Sequence, residues 1–190
     1  MGVEVSIGSS APNASNLIWL DLEMTGLDPE RHTILEIGML ATDAQLSVLA
    51  DGPCLTIKPS EQELDAIEAW SFEHHTKSGL LQQAKEHGVT MEKAERQALE
   101  FVHRYCPERS APLCGNSVWY DRRFLIRYMP RLNNYLHHRN VDVSTIKELA
   151  DRWYPSLKPP AKRKTHRVMD DLRESLDELR FYRQRIFAPT

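Results

Sequence analysis

The stretch Leu17-Ile18-Trp19-Leu20-Asp21-Leu22-Glu23 is an apolar run that ends on two carboxylates. Leu17 to Leu22, with β-favouring Ile18 and Trp19, reads as a buried strand. Side chains alternate along a strand, so Asp21 and Glu23 leave one face while Leu22 points to the other. Gly26 and Asp28-Pro29 supply turn chemistry next. Thr33 to Thr42 and Leu46 to Ile57 are further strand candidates, and the short polar link Asp43 to Gln45 makes them an antiparallel hairpin.

From Ser60 the pattern becomes helical. Ser60 with Glu63 has the spacing of a capping box, and Thr90 opens a run that places Ala94, Ala98, Phe101 and Val102 on one face. Ala111 to Cys114 is a brief β-like stretch. Ser117 to Tyr128 reads as a helix stopped by Met129-Pro130. Val141 to Val143 is a last short strand candidate, and Ser144 is placed to cap a helix running to about Trp153. After a Pro/Lys/Arg loop, Asp170 to about Phe187 carries Leu172, Leu176, Leu179 and Ile186 at helical spacing. Strands leading and helices alternating with short strands afterwards describe a mixed α/β sheet flanked by helices.

The chain has 190 residues, the size of one domain: a polar tail over 1–16, a folded unit over 17–187 and a short end at 188–190. Its 24 Lys and Arg against 27 Asp and Glu give a net charge of −3, which argues against a polybasic nucleic-acid coat protein. Three cysteines without CxxC spacing indicate neither a disulfide framework nor a zinc ribbon, so a reducing cytoplasm is the expected home. No apolar run approaches the roughly 18 residues of a membrane span, so no membrane association is expected.

Two adjacent carboxylates repel unless a cation lies between them, although a strand end that has reached solvent would also carry acids. Asp121 follows the small-residue turn Gly115-Asn116-Ser117, and Asp170 and Asp171 open the last helix, where acids suit the macrodipole in any protein. His166 lies in the loop five residues before Asp171. Singly, each has an ordinary explanation.

Together, an Asp-x-Glu strand, a distant helix-opening Asp and a His-x4-Asp helix start resemble the histidine branch of the DEDD exonucleases. The blocks Trp19-Leu20-Asp21-Leu22-Glu23-Met24-Thr25-Gly26-Leu27-Asp28, Cys114-Gly115-Asn116-Ser117, Asp121-Arg122-Arg123-Phe124-Leu125, Asp142-Val143-Ser144-Thr145-Ile146-Lys147-Glu148-Leu149 and Asp170-Asp171-Leu172-Arg173-Glu174-Ser175 resemble oligoribonucleases. That resemblance covers nearly everything from Leu17 to Phe187.

The resemblance implies a ribonuclease H-like α/β fold, a mixed central sheet with three leading antiparallel strands. It implies a homodimer that degrades short RNA and dinucleotides from the 3′ end to nucleoside 5′-monophosphates. By motif position, Asp21, Glu23, Asp121 and Asp171 would hold two divalent cations, Mg²⁺ or Mn²⁺, and His166 would be the general base. The four-residue spacing from His166 selects Asp171 over Asp170. Leu27, Trp70 and His75 would contact the bases, and Ser117, Arg139, Ser144 and Thr145 the 5′ phosphate. His138 stands where the family usually has Tyr, and this stretch would reach a second subunit's site. Lys158, Lys162, Arg163, Lys164 and Arg167 form a basic loop that reads equally as an attractor of an RNA backbone or as an ordinary solvated loop. Two other readings share the fold: a proofreading-type DNA exonuclease and a non-catalytic nucleotide-binding protein.

Overall fold

The computed structural model describes residues 11–161 and 167–187. Its five-stranded sheet has the order β3-β2-β1-β4-β5. β1 (Leu17–Met24) and β2 (Ile34–Thr42) pair antiparallel, as do β2 and β3 (Val48–Thr56). β4 (Leu113–Gly115) runs parallel to β1, and β5 (Asn140–Asp142) parallel to β4. This is the mixed sheet with three antiparallel leading strands that the sequence predicts.

Eight helices are described: α1 (Glu61–Asp65), α2 (Ala69–Lys77), α3 (Leu80–His87), α4 (Met91–Tyr105), α5 (Trp119–Tyr128), α6 (Pro130–Tyr135), α7 (Val143–Trp153) and α8 (Val168–Arg185). The Ser60–Glu63 capping box forms at α1, and the Thr90 hydroxyl accepts the Lys93 N–H at the start of α4. Two local readings change. Pro130 does end α5, but it also serves as the first residue of α6, where its fixed φ and missing N–H cost nothing. The α7 cap is Asp142, whose carboxylate accepts the Ser144 N–H, rather than Ser144 itself.

Alternation along β1 builds two cores. Ile18, Leu20 and Leu22 pack in the layer that holds Ala94, Ala98, Phe101 and Val102 of α4 and Phe124 and Leu125 of α5. Trp19 faces the opposite layer, with Val143 and Ala150 of α7 and Leu172, Leu176, Leu179 and Tyr182 of α8. Its indole N–H is satisfied by Thr42 Oγ1 at 3.1 Å. Period two carries Asp21 and Glu23 along the Trp19 side, toward the first turn of α8. That turn approaches β2 closely at Gly38, where an added Cβ would sit 2.6 Å from Val168 Cγ2.

Candidate active site

Strand alternation and the close docking of α8 bring Asp21, Glu23 and Asp171 together, with one carboxylate oxygen from each inside a 4.8 Å span. Asp170, one position earlier, is exposed, so the helix turn itself separates the two adjacent acids. Asp121 is buried at the first turn of α5, and its Oδ1 accepts the Leu22 N–H at 3.0 Å. It is thus tied to the strand that carries Asp21 and Glu23, outside the three-carboxylate group, and is not a solvated helix-start acid.

These acids strain one another. Burial, then the charges of Asp121, Glu23 and Asp171, hold the Asp21 carboxyl well above its usual range. Burial, then Asp171, Glu36 and Asp121, push Glu23 up to about 8. Burial pushes Asp121 to about 8 as well, against the lowering effect of its backbone hydrogen bonds. Clustered, buried, oxygen-only donors fit a hard divalent cation, whose charge relieves this repulsion.

With folded values raised above the unfolded 4.5 and 3.8, the folded metal-free protein holds more protons than the unfolded chain across about pH 4 to 8, so its stability falls as pH rises through that window. The melting temperature of chelator-treated protein should drop between pH 5.5 and 8. Added Mn²⁺ or Mg²⁺ should raise it more at pH 8 than at 5.5, and a flat profile would contradict the clustering.

Beside the acids lies a cleft of about 340 Å³ lined by Glu23, Met24, Gly26, Leu27, Glu68, Trp70, Ser71 and His75. Leu27 and Trp70 are 48% and 56% exposed, unusual for large apolar side chains inside a concave wall. The Trp70 indole stacks on His74, one turn further along α2, with ring centroids 3.9 Å apart. His75 is buried, donates from Nε2 to the Met24 carbonyl at 2.9 Å, and holds Nδ1 3.9 Å from Glu23 Oε2. Gly26 is required here because the His32 ring lies 2.6 Å from where a Cβ would sit.

Ser117 and Ser144 also come together, their hydroxyls 3.2 Å apart, with the Ser117 N–H donating to Asp142 Oδ1 and Ser144 Oγ. Ser117 adopts φ 50°, and Asn116 ties the turn to Ser175 on α8. Thr145 is exposed one residue on. His138 and Arg139 are exposed too, and His138 lines a second cleft of about 400 Å³ with Arg109, Arg122 and Ile126. His166, with Lys162, Arg163 and Lys164, lies outside the described residues. Arg167 is engaged differently from the reading as a loop charge: its guanidinium meets Glu36 of β2 at 2.7 Å. Sequence reasoning missed Glu36, although a lone acid inside Ile34-Leu35-Glu36-Ile37-Gly38-Met39-Leu40 was its signal.

Residues 18–179 match the RNase_T exonuclease family. The oligoribonuclease of Pseudomonas syringae pv. syringae is 51% identical over 177 residues, which cover 93% of this chain and 99% of that one. The chain belongs to the oligoribonuclease family. Other oligoribonucleases, from Pseudomonas aeruginosa PAO1 at 51% and Vibrio vulnificus at 50% identity, each cover 90% of this chain and 96% of their own length. Among solved structures, Escherichia coli Exonuclease I in complex with a dA16 oligonucleotide superposes with TM-score 0.72 at 14% identity, over 90% of this chain and 41% of the larger enzyme. That likeness concerns the fold. The oligoribonuclease family assignment and the exonuclease fold agree on a nuclease, with its acidic cluster at the end of β1.

Proposed function

We propose that the chain is a 3′-to-5′ exoribonuclease that hydrolyses short oligoribonucleotides, dinucleotides above all, to nucleoside 5′-monophosphates. The observation that carries this is the Asp21–Glu23–Asp171 cluster opening onto the cleft between Leu27 and Trp70. A single exonuclease unit spanning 17–187 performs the reaction, in the cytoplasm.

Asp21, Glu23, Asp121 and Asp171 would hold two divalent ions, Mg²⁺ or Mn²⁺, which would supply Lewis-acid chemistry at a scissile phosphate when bound. The remaining work belongs to side chains. Leu27 and Trp70 take a base between an aliphatic edge and an aromatic face, a contact that tolerates every base. His75 fixes the Met24 carbonyl and faces Glu23, which keeps the wall of the base cleft in register with the acidic cluster. His166 removes the proton from the attacking water, since imidazole titrates near neutrality. Ser117, Ser144, Thr145 and Arg139 close around a terminal 5′ phosphate with hydroxyls and a guanidinium. A closed cap at that end admits only very short chains.

His138 borders a different cleft from Leu27 and Trp70 and Arg139 beside it is exposed, so on this reading segment 137–139 of one copy serves the site of another, and the protein acts as a homodimer. Exposed Trp119 and Ile126 on the neighbouring α5 supply apolar surface for such a contact. His138 offers a smaller planar face than the Tyr common in the family.

Offering 5′-phosphorylated RNA of two to ten nucleotides, and DNA of equal lengths, with Mg²⁺, Mn²⁺ or a chelator tests the proposal. Rates should be highest on diribonucleotides and fall with length. Cleavage confined to long DNA would favour the proofreading-type reading instead, and binding without cleavage the non-catalytic one.

A further inference from the structure

Glu36 and Arg167 make a contact that the reaction scheme leaves unused. Glu36 lies directly opposite Glu23 in the β1–β2 register, so both carboxylates emerge on the face that α8 covers. Its side chain is 1% exposed, while that of Arg167 is 35% exposed. Arg167 Nε donates to both Glu36 oxygens at 3.2 Å, and Nη2 donates to Oε1 at 2.7 Å. Nη2 also reaches Gln83 Oε1 of α3 at 3.2 Å.

Arg167 is the residue before α8, and its own side chain does not cap the helix. Instead the Val168 N–H donates to Glu36 Oε2 at 3.4 Å, so the free end of α8 is capped from a neighbouring strand. The Arg167 carbonyl accepts the Asp171 N–H at 3.1 Å, one turn later. A continuous path thus runs from β2, through Glu36 and Arg167, to the backbone of Asp171. The rest of α8 is anchored independently: Leu172, Leu176, Leu179 and Tyr182 fill the core, and Arg180 and Arg183 donate to the carbonyls of Leu46 and Gln45. The first turn, which carries Asp171, is held by the clamp together with the packing of Val168 against Gly38.

The geometry points to Glu36 and Arg167 as a positioning pair that sets Asp171 of α8 against Asp21 and Glu23 of β1, and so fixes affinity for the divalent ion. This rests on the metal-site reading above. Glu36 falls outside the group of carboxylates whose oxygens lie close enough to share an ion, and its own oxygens accept hydrogen bonds from Arg167 and Val168.

The double variant Glu36→Met/Arg167→Met keeps the net charge and replaces a partly buried ion pair with apolar side chains, a change that folds commonly tolerate. Mn²⁺ binding by calorimetry or paramagnetic resonance, with no substrate present, should weaken by about 10- to 100-fold, the usual cost of losing a group that orients a metal ligand. Asp171→Asn serves as the reference. If wild type binds Mn²⁺, Asp171→Asn does not, and the double variant matches wild type, the inference is overturned while the metal-site reading stands. If Asp171→Asn binds as wild type does, the metal-site reading falls, and the inference with it. Should the double variant fail to fold, Arg167→Lys keeps the charge but loses the fork. It should bind Mn²⁺ more weakly than wild type, and unchanged binding would overturn the inference.

Discussion

Asp171→Asn is expected to lower turnover of a diribonucleotide by about 10³-fold, because a hard cation held by carboxylates supplies several kcal/mol of transition-state charge stabilisation that a neutral amide cannot anchor. The substitution keeps size and shape, so circular dichroism should show an intact fold. Asp170→Asn is its natural contrast. The two acids are adjacent in sequence, yet Asp170 is exposed while Asp171 reaches Asp21 and Glu23. Near-normal turnover of Asp170→Asn beside the collapse of Asp171→Asn, measured as release of nucleoside 5′-monophosphate, supports the assignment; the reverse pattern would exchange their roles.

His166→Ala should reduce kcat by about 10²- to 10⁴-fold, the span typical of a removed general base, while Mn²⁺ binding is retained. The pH–rate profile separates this from a loss of binding. In wild type the rate should rise through the range where imidazole loses its proton, and in the variant that limb should disappear. Near-normal turnover in His166→Ala would remove the residue from the mechanism.

The fold was legible because its decisive signals are local. Period-two alternation in Leu17 to Glu23 puts three aliphatic residues on one face and Trp19 with the two acids on the other, and the two cores of the folded protein follow that division. Of the candidate site, the coming together of Asp21, Glu23 and Asp171 was legible, because motif spacing coincides with geometry there. Partners distant in sequence were not. Glu36 looks misplaced in an apolar strand and Arg167 looks like one charge of a basic loop until the 131-residue gap between them closes as a hydrogen-bonded pair. The α7 cap illustrates the same limit at short range: Asp142 and Ser144 are both good cap residues, and the fold selects Asp142 because its carboxylate also accepts the Ser117 N–H.

Net charge is likewise the wrong scale for the ligand proposed. At −3 the chain has no global attraction for RNA, but four of its acids are proposed to face divalent ions, whose positive charge reverses the local field for a phosphate. A dinucleotide needs that one pocket, not a basic surface.

If the proposed hydrolysis needs a divalent ion at the Asp21–Glu23–Asp171 cluster, titrating Mn²⁺ into chelator-stripped protein should reveal it in nucleoside 5′-monophosphate release from a 5′-phosphorylated diribonucleotide. Activity should be absent at the start and rise in step with occupancy of a site that Asp171→Asn abolishes. Full activity in the stripped protein, or a rise unchanged in Asp171→Asn, would contradict the account.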